Sequence, residues 1–381
     1  MSASSKPASR PRGVLRDLSD GSTPVAAAPI ARWFCVLVLL AGGLHASGCA
    51  GVEVIRPAEP PSVDRLDDPA ATLPRLRASA INEVLSAVRS DNPQLRANAL
   101  EALQDVRERV LPLAQLALDD SNAGVRFASL WVIGEQRLTS LAPALRPMLD
   151  EDQPEVVQAA AIYAAARLGV ADDSLISRMS RYALHPDARV RSTAAMLLGR
   201  MSDASAVPLL KHSSRRPPGN RQPEILWKLL RLQVAEAMAK LGEGDAIKAL
   251  YAAAYADDPE LRILAVQTLA GLEDVTFWSN MSKFLGEDPI ELRVAAAAGL
   301  VELASASAGR GVTLLQEAVR EGAVPVLLEA THHELPTVRG QAAIGLTTVR
   351  TPAAAAALAR LLRDGDPGVR LAAAAGVLRQ P

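Results

Sequence analysis

Aromatic residues are scarce in this chain: only 3% of 381 positions are Phe, Trp or Tyr, so a folded core must be aliphatic. Two cysteines cannot form a disulfide framework. Neither charge is in excess. Forty-one Lys+Arg against 42 Asp+Glu leave a formal net charge of −1, without the basic surplus of a dedicated nucleic-acid binder. The apolar run Trp33–Leu44 is twelve residues long, where a membrane-spanning helix needs ~20. There is no HExxH, no glycine-rich phosphate loop, no GxSxG and no CxxC. What the chain does have is a 49% hydrophobic fraction, which excludes a mostly disordered polymer.

The N-terminus reads as an address. Residues 1–32 are polar and mildly basic, with Lys6, Arg10, Arg12, Arg16 and Arg32 against Asp17 and Asp20. The run Trp33–Leu44 has the length of a signal-peptide core. Small residues follow it, Ala46, Ser47 and Gly48, and then Cys49. This order resembles the lipobox of bacterial lipoproteins. The resemblance implies cleavage before Cys49 and acylation of its thiol and new amine. Ala50 after the cysteine, rather than Asp, implies an outer-membrane lipoprotein facing the periplasm where the cell has such a membrane. Cys35 would be removed with residues 1–48, leaving Cys49 as the only thiol, a harmless composition in an oxidising compartment. The mature chain would carry 36 basic and 40 acidic residues, a net of −4. Residues 49–76 read as a tether, because Pro57, Pro60, Pro61, Pro69 and Pro74 oppose a helix.

Residues 77–381 repeat. An acid or amide, a proline, a branched residue and an arginine recur, as in Asp91–Arg96, Asp258–Arg262, Glu334–Arg339 and Asp366–Arg370. The anchors fall at positions 96, 126, 157, 191, 262, 293, 339 and 370, with a degenerate copy at Val234. Five of the eight steps between them lie between 28 and 31 residues. The acid or amide caps a helix, the proline fits the first turn, and an Ala/Leu-rich amphipathic stretch follows. Gly134, Gly169, Gly199 and Gly242 are expected to end helices. A shorter amphipathic segment precedes each anchor, such as Val110–Leu118. Two helices per repeat, neither able to bury its face alone, predict an all-α superhelix of about nine stacked units. The phrase resembles HEAT-like repeats, in the short form named after phycobilisome lyases. That resemblance implies that the anchor arginines pair with acids of the same or the adjacent repeat, a ladder holding the stack together.

Counted at 100° per residue from the anchor, positions +2, +5 and +9 of the second helix point away from the core and line the concave face. Three consecutive +5 residues are apolar: Trp131, Ile162 and Met196. They are the predicted partner-binding stripe, since an exposed apolar row with a Trp marks many interfaces. An insertion at 211–221 carries Lys211, Arg215, Arg216 and Arg221 without an acid, a second predicted contact for phosphate, an anionic glycan or an acidic partner. A second insertion, 305–322, is helical by pattern and predicts an extra helix. Deoxyhypusine hydroxylase, a HEAT-like enzyme, holds two irons through several His–Glu dyads. Here His333 and Glu334 are the single matching pair, and His332 and His333 read as a polar turn.

These features predict a non-catalytic protein-binding scaffold, exported and lipid-anchored, with no cofactor, no metal and no nucleic-acid partner. A lyase-like enzyme or maturation factor and a structural envelope spacer are the competing classes. The chain stops soon after its last second helix, which predicts an uncapped end able to self-associate through the C-terminal repeat.

Overall fold

Helix starts are set by the side chains in front of them. In the computed structural model, which describes residues 69–215, 222–307 and 312–380, Asn92, Asn122, Asp187, Asp258 and Asp366 each accept a hydrogen bond from a backbone N–H two or three residues on. Pro93, Pro259, Pro336, Pro352 and Pro367 then occupy first turns, where a missing N–H removes no bond.

Nine two-helix units result. They are α1 (Pro69–Ala87) with α2 (Pro93–Ala102), and α3 (Arg107–Ala117) with α4 (Ala123–Glu135). A 3-10 segment (Thr139–Leu149), kept from α geometry by Pro143 and Pro147, precedes α5 (Glu155–Arg167). Next come α6 (Asp173–Ala183) with α7 (Ala188–Met201), α8 (Val207–Arg215) with α9 (Glu224–Lys240), and α10 (Gly244–Ala253) with α11 (Pro259–Ala270). Then α12 (Trp278–Phe284) precedes α13 (Ile290–Ala306). The eighth first helix is α14 (Thr313–Ala318), which runs through a π turn, Val319–Ala323, into α15 (Val324–Ala330) and pairs with α16 (Pro336–Gly345). The last unit is α17 (Pro352–Leu361) with α18 (Pro367–Arg379). The fold is all-helical, an α solenoid as expected, with no strand among the described residues.

The second helices α2, α4, α5, α7, α9, α11, α13, α16 and α18 lie side by side, each against the next, and the row closes on itself. Helix α18 packs along α1 and also touches α2, so the last repeat meets the first. Arg77 donates to the carbonyls of Gln380 (3.2 Å) and Leu378 (3.4 Å), and Arg370 pairs with Glu83 at 2.9 Å. The expected uncapped C-terminal end is therefore corrected. The apolar edge of α18 is covered by the chain's own first helix, and this edge is not free for self-association.

The arginine ladder runs between adjacent repeats. Arg96 forks onto both Asp120 oxygens at 2.8 Å, Arg339 onto both Asp364 oxygens at 2.8 Å, and Arg262 reaches Glu287 at 2.5 Å. Each acid stands six residues before the next anchor arginine. Six before Arg96, however, stands Ser90. Glu83 of α1 supplies an acid across the seam and gives Arg370 a partner there.

Four local expectations change. Helix α1 already begins at Pro69 and includes Pro74, so the stretch expected as tether up to residue 76 is partly helical. Gly169 and Gly242 end helices with φ of 72° and 92°. Gly134 and Gly199 instead sit inside α4 and α7, where neighbours come too close for a side chain: a Cβ on Gly199 would lie 2.7 Å from the Ala237 Cα. Among the described residues the 305–322 insertion is helical from Thr313, as its pattern predicts, but the π turn runs it into the following segment as one long first helix instead of a separate one.

Candidate functional site

Inside the ring lies a cavity of about 470 Å³. Its walls come from five second helices, α2, α11, α13, α16 and α18, which belong to both ends of the chain and meet only because the seam is closed. The lining follows the phase read from the anchors. Position +2 supplies Asn98, Leu264, Ala295 and Gln341, position +5 supplies Gln267, Ala298 and Ile344, and position +9 supplies Glu302. One turn nearer the helix starts, Ile263, Val294 and Gly340 fill position +1. The wall is mainly aliphatic, with side-chain amides spaced along it. Gln94 donates to Asn98 at 2.8 Å. The lining residues include the acids Glu260, Glu302 and Asp366 and no Lys, Arg or His.

The predicted stripe lies elsewhere and is not exposed. Trp131, Ile162 and Met196 have 3%, 0% and 2% of their surface accessible and belong to the continuous core. The +5 position does not face an opening here; these side chains fill the space between neighbouring second helices. Trp131 stacks on Tyr163 with ring centroids 5.2 Å apart, and the Arg200 guanidinium lies 5.4 Å from the Trp131 ring. The Tyr163 hydroxyl in turn donates to Glu135. In repeats six to eight the same position, Gln267, Ala298 and Ile344, lines the cavity. The concave site therefore belongs to the last four repeats and the first, and not to repeats two to four.

Arg215 is exposed at the end of α8, while Arg216 and Arg221 lie outside the described residues. Lys211, expected to be free of acids, pairs with Glu243 at 2.6 Å. Cys49 also lies outside the described residues. His333 accepts the Leu335 N–H through Nδ1, and His332 meets Arg360 at 2.7 Å, both within a turn between helices. Among the described residues no group of three His, Cys, Asp or Glu is placed to hold a metal. No helix there is long and apolar enough to cross a membrane.

One titratable group was missed by the sequence reading. Glu101 occupies the +5 position of α2, is 1% accessible, and its carboxylate oxygens accept no hydrogen bond. Burial pushes its pKa up to about 8, against the opposing pull of Arg379 from α18. A charged residue at +5, where the next three repeats carry Trp131, Ile162 and Met196, was the available signal.

A family model described as HEAT repeats matches residues 81–166, 142–222 and 282–379. No curated protein matches the chain. Among solved structures, the complex of CpcE and CpcF of phycocyanin lyase from Nostoc is 18% identical, covering 68% of this chain and 91% of that one, with a TM-score of 0.35. Human deoxyhypusine hydroxylase in complex with glycerol is 20% identical over 63% of this chain and 96% of its own, with a TM-score of 0.28. The karyopherin Kap121p bound to the extreme C-terminus of a protein phosphatase is 14% identical over 81% and 37%, with a TM-score of 0.34. These likenesses concern the repeat fold and carry nothing about activity.

Proposed function

The chain belongs to the HEAT-repeat family, and from that premise we propose that it is a non-catalytic protein-binding scaffold, exported and held at a membrane through Cys49. HEAT solenoids typically present a curved helical face to other proteins. The observation that carries the reading is the cavity inside the ring, where five second helices from both chain ends converge on apolar walls edged with amides. Pockets of 300–1,000 Å³ with a few polar groups on apolar walls are where ligands bind most often. The address rests on the order of the run Trp33–Leu44, the small residues 46–48 and Cys49. Nineteen residues, 50–68, separate that cysteine from α1. At ~3 Å per residue in a proline-rich chain they could set the ring up to about 60 Å from a bilayer. Two or more acyl chains would make the anchorage stable.

Two measurements test the two halves. Intact mass and membrane fractionation of the native protein, beside Cys49→Ser, address the anchor. An acylated mature chain starting at Cys49, released by the substitution, supports it; an unacylated chain retaining residues 1–48 refutes it. For binding, a photo-crosslinking residue placed at Ile344 in the cavity is compared with one at Leu116, which is 67% exposed on a first helix. A defined partner captured from Ile344 and not from Leu116 is the expected result. Capture from Leu116 alone overturns the interior site.

A further inference from the structure

A carboxyl group is shut into the seam between the last repeat and the first. Glu101 is the second-last residue of α2, is 1% accessible, and accepts no hydrogen bond at either side-chain oxygen. Helix α18 flanks it, for Arg379 at the end of that helix is the charged group that acts on it. In the +5 row its neighbours are Trp131 of α4 and Ala375 of α18, both buried. A leucine would fill such a place with no desolvation cost, whereas an ionised carboxylate gives up its water and gains no bond in return. The last turn of a helix carries partial negative charge, which opposes ionisation further.

Arg379 apart, the described charges on the helices around α2 are engaged elsewhere or face solvent. On α1, Arg75 is exposed, Arg77 donates to the Leu378 and Gln380 carbonyls, and Glu83 pairs with Arg370 of α18. On α4, Arg126 donates to the carbonyls of Asp120 and Ser121, and Glu135 accepts from Tyr163. On α3, Glu108 and Arg109 are exposed; on α2 itself, Arg96 forks onto Asp120. No histidine lies in the first, second or last repeat, and His332 of the eighth reaches the last at Arg360 of α17.

Protonation and closure are therefore linked. With α18 displaced, water reaches Glu101 and its pKa returns toward the ordinary value of about 4.3. In the closed ring burial holds it up at about 8. Between those values the closed ring keeps a proton that the open ring has lost, so each pH unit gained disfavours closure by up to tenfold. Above about 8 both forms have lost it and the dependence ends. The opening falls at the seam because this is the one junction between neighbouring units that no loop of the chain also joins.

We propose that the seam is a proton-controlled closure: neutral Glu101 lets α18 seat on α1 and α2, and its ionisation as the surroundings turn alkaline opens the ring and takes the cavity apart, α2 and α18 being two of its five walls. Closure can be read directly, whether or not the cavity holds a partner. Amide hydrogen exchange on the purified full chain, corrected for the intrinsic rate at each pH, should show protection across α1 and α18 falling at least tenfold from pH 6 to pH 8 and little further by pH 9. Helices α6 and α7, far from the seam, should hold theirs. Glu101→Gln and Glu101→Leu, neutral throughout, should keep at pH 8 the protection they have at pH 6. Arg379→Gln removes the opposing positive charge and should carry the fall on beyond pH 8. Protection of α1 and α18 that does not change with pH in the native protein would overturn the proposal. So would a loss shared equally by α6 and α7, a loss undiminished in both Glu101 variants, or a fall in Arg379→Gln that ends at the same pH as in the parent.

Discussion

Closure of the ring can be broken by charge alone. Glu83 and Arg370 meet at 2.9 Å with side chains 22% and 29% exposed, and Arg370 also donates to the carbonyls of Asp364 and Gly365. A charge-assisted hydrogen bond contributes about 1.5–3 kcal/mol, and partial exposure reduces this pair to about 1–2 kcal/mol. Arg370→Glu loses the pair and the carbonyl bonds and sets two carboxylates face to face. With screening and side-chain splaying, the expected cost is about 2–3 kcal/mol. Glu83→Arg keeps the carbonyl bonds of Arg370 and should cost less, about 1–2 kcal/mol. The double swap restores opposite charges and should recover most of the Glu83 loss. Because the seam joins the two ends of one chain, the effect is local opening of α1 and α18 rather than global unfolding.

Amide hydrogen exchange reads it directly. Each 1.4 kcal/mol is a factor of about ten in the opening constant, so the single variants should lose about ten- to hundredfold protection across α1 and α18. Helices α4 to α9, remote from the seam, should keep theirs. Small-angle scattering should show a larger radius of gyration for Arg370→Glu and a return toward the parent value in the double swap. Unchanged protection of α1 in both single variants, or a double swap no better than the two losses added, would refute the ring-closing role of this pair.

Three further outcomes follow from the packing. Gly340→Ala should raise stability by about 0.4–1 kcal/mol, whereas Gly199→Ala, whose Cβ would lie 2.7 Å from the Ala237 backbone, should lower it by about 1–3 kcal/mol; urea midpoints at constant m distinguish the signs. Glu101 has a folded pKa raised to about 8, above its unfolded value, so its protonated form supports the fold at low pH and that contribution is lost as pH rises through 8; Glu101→Gln should leave stability at pH 5 nearly unchanged, raise it at pH 9 and flatten the slope between. For Asp364, burial favours protonation but is outweighed by the hydrogen bonds from Arg339 and the Asp366 N–H, and its pKa is held below the ordinary value; its contribution is present above the unfolded pKa and lost as pH falls through the folded one, so Asp364→Asn should blunt the acid limb of a stability–pH curve.

Much of the architecture could be read from residues. The cap, proline and arginine phrase placed the second helices, and the 100° count gave the stripe that faces inward. The stripe's location around the ring was misread, and residue type at +5 does not account for it: Ile162 is fully buried in the core, whereas Ile344, the same residue type at the same position, lines the cavity. Which layers are filled is set by how neighbouring second helices pack around the ring, which no single repeat contains. The glycines were misread for a local reason. A helical glycine ends a helix only where its φ is positive, as at Gly169 and Gly242; elsewhere what a Cβ would meet decides its role.

Closure itself could not be read from any one repeat, because it is the sum of small rotations between neighbours over nine units. One local contact bears on it. The ladder acid stands six residues before Arg126, Arg293 and Arg370 as Asp120, Glu287 and Asp364, whereas Ser90 holds that place in the first repeat and His185, Ala256 and His333 hold it before Arg191, Arg262 and Arg339. Arg370, in the last repeat, would then have no acid ahead of it in an open solenoid. Glu83 is the partner that arginine finds across the seam. A ring made this way has no terminal repeat to fray, and its interior exists only while the two chain ends meet. The same contact that stabilises α1 and α18 therefore also assembles the cavity, because α2 and α18 are two of its five walls.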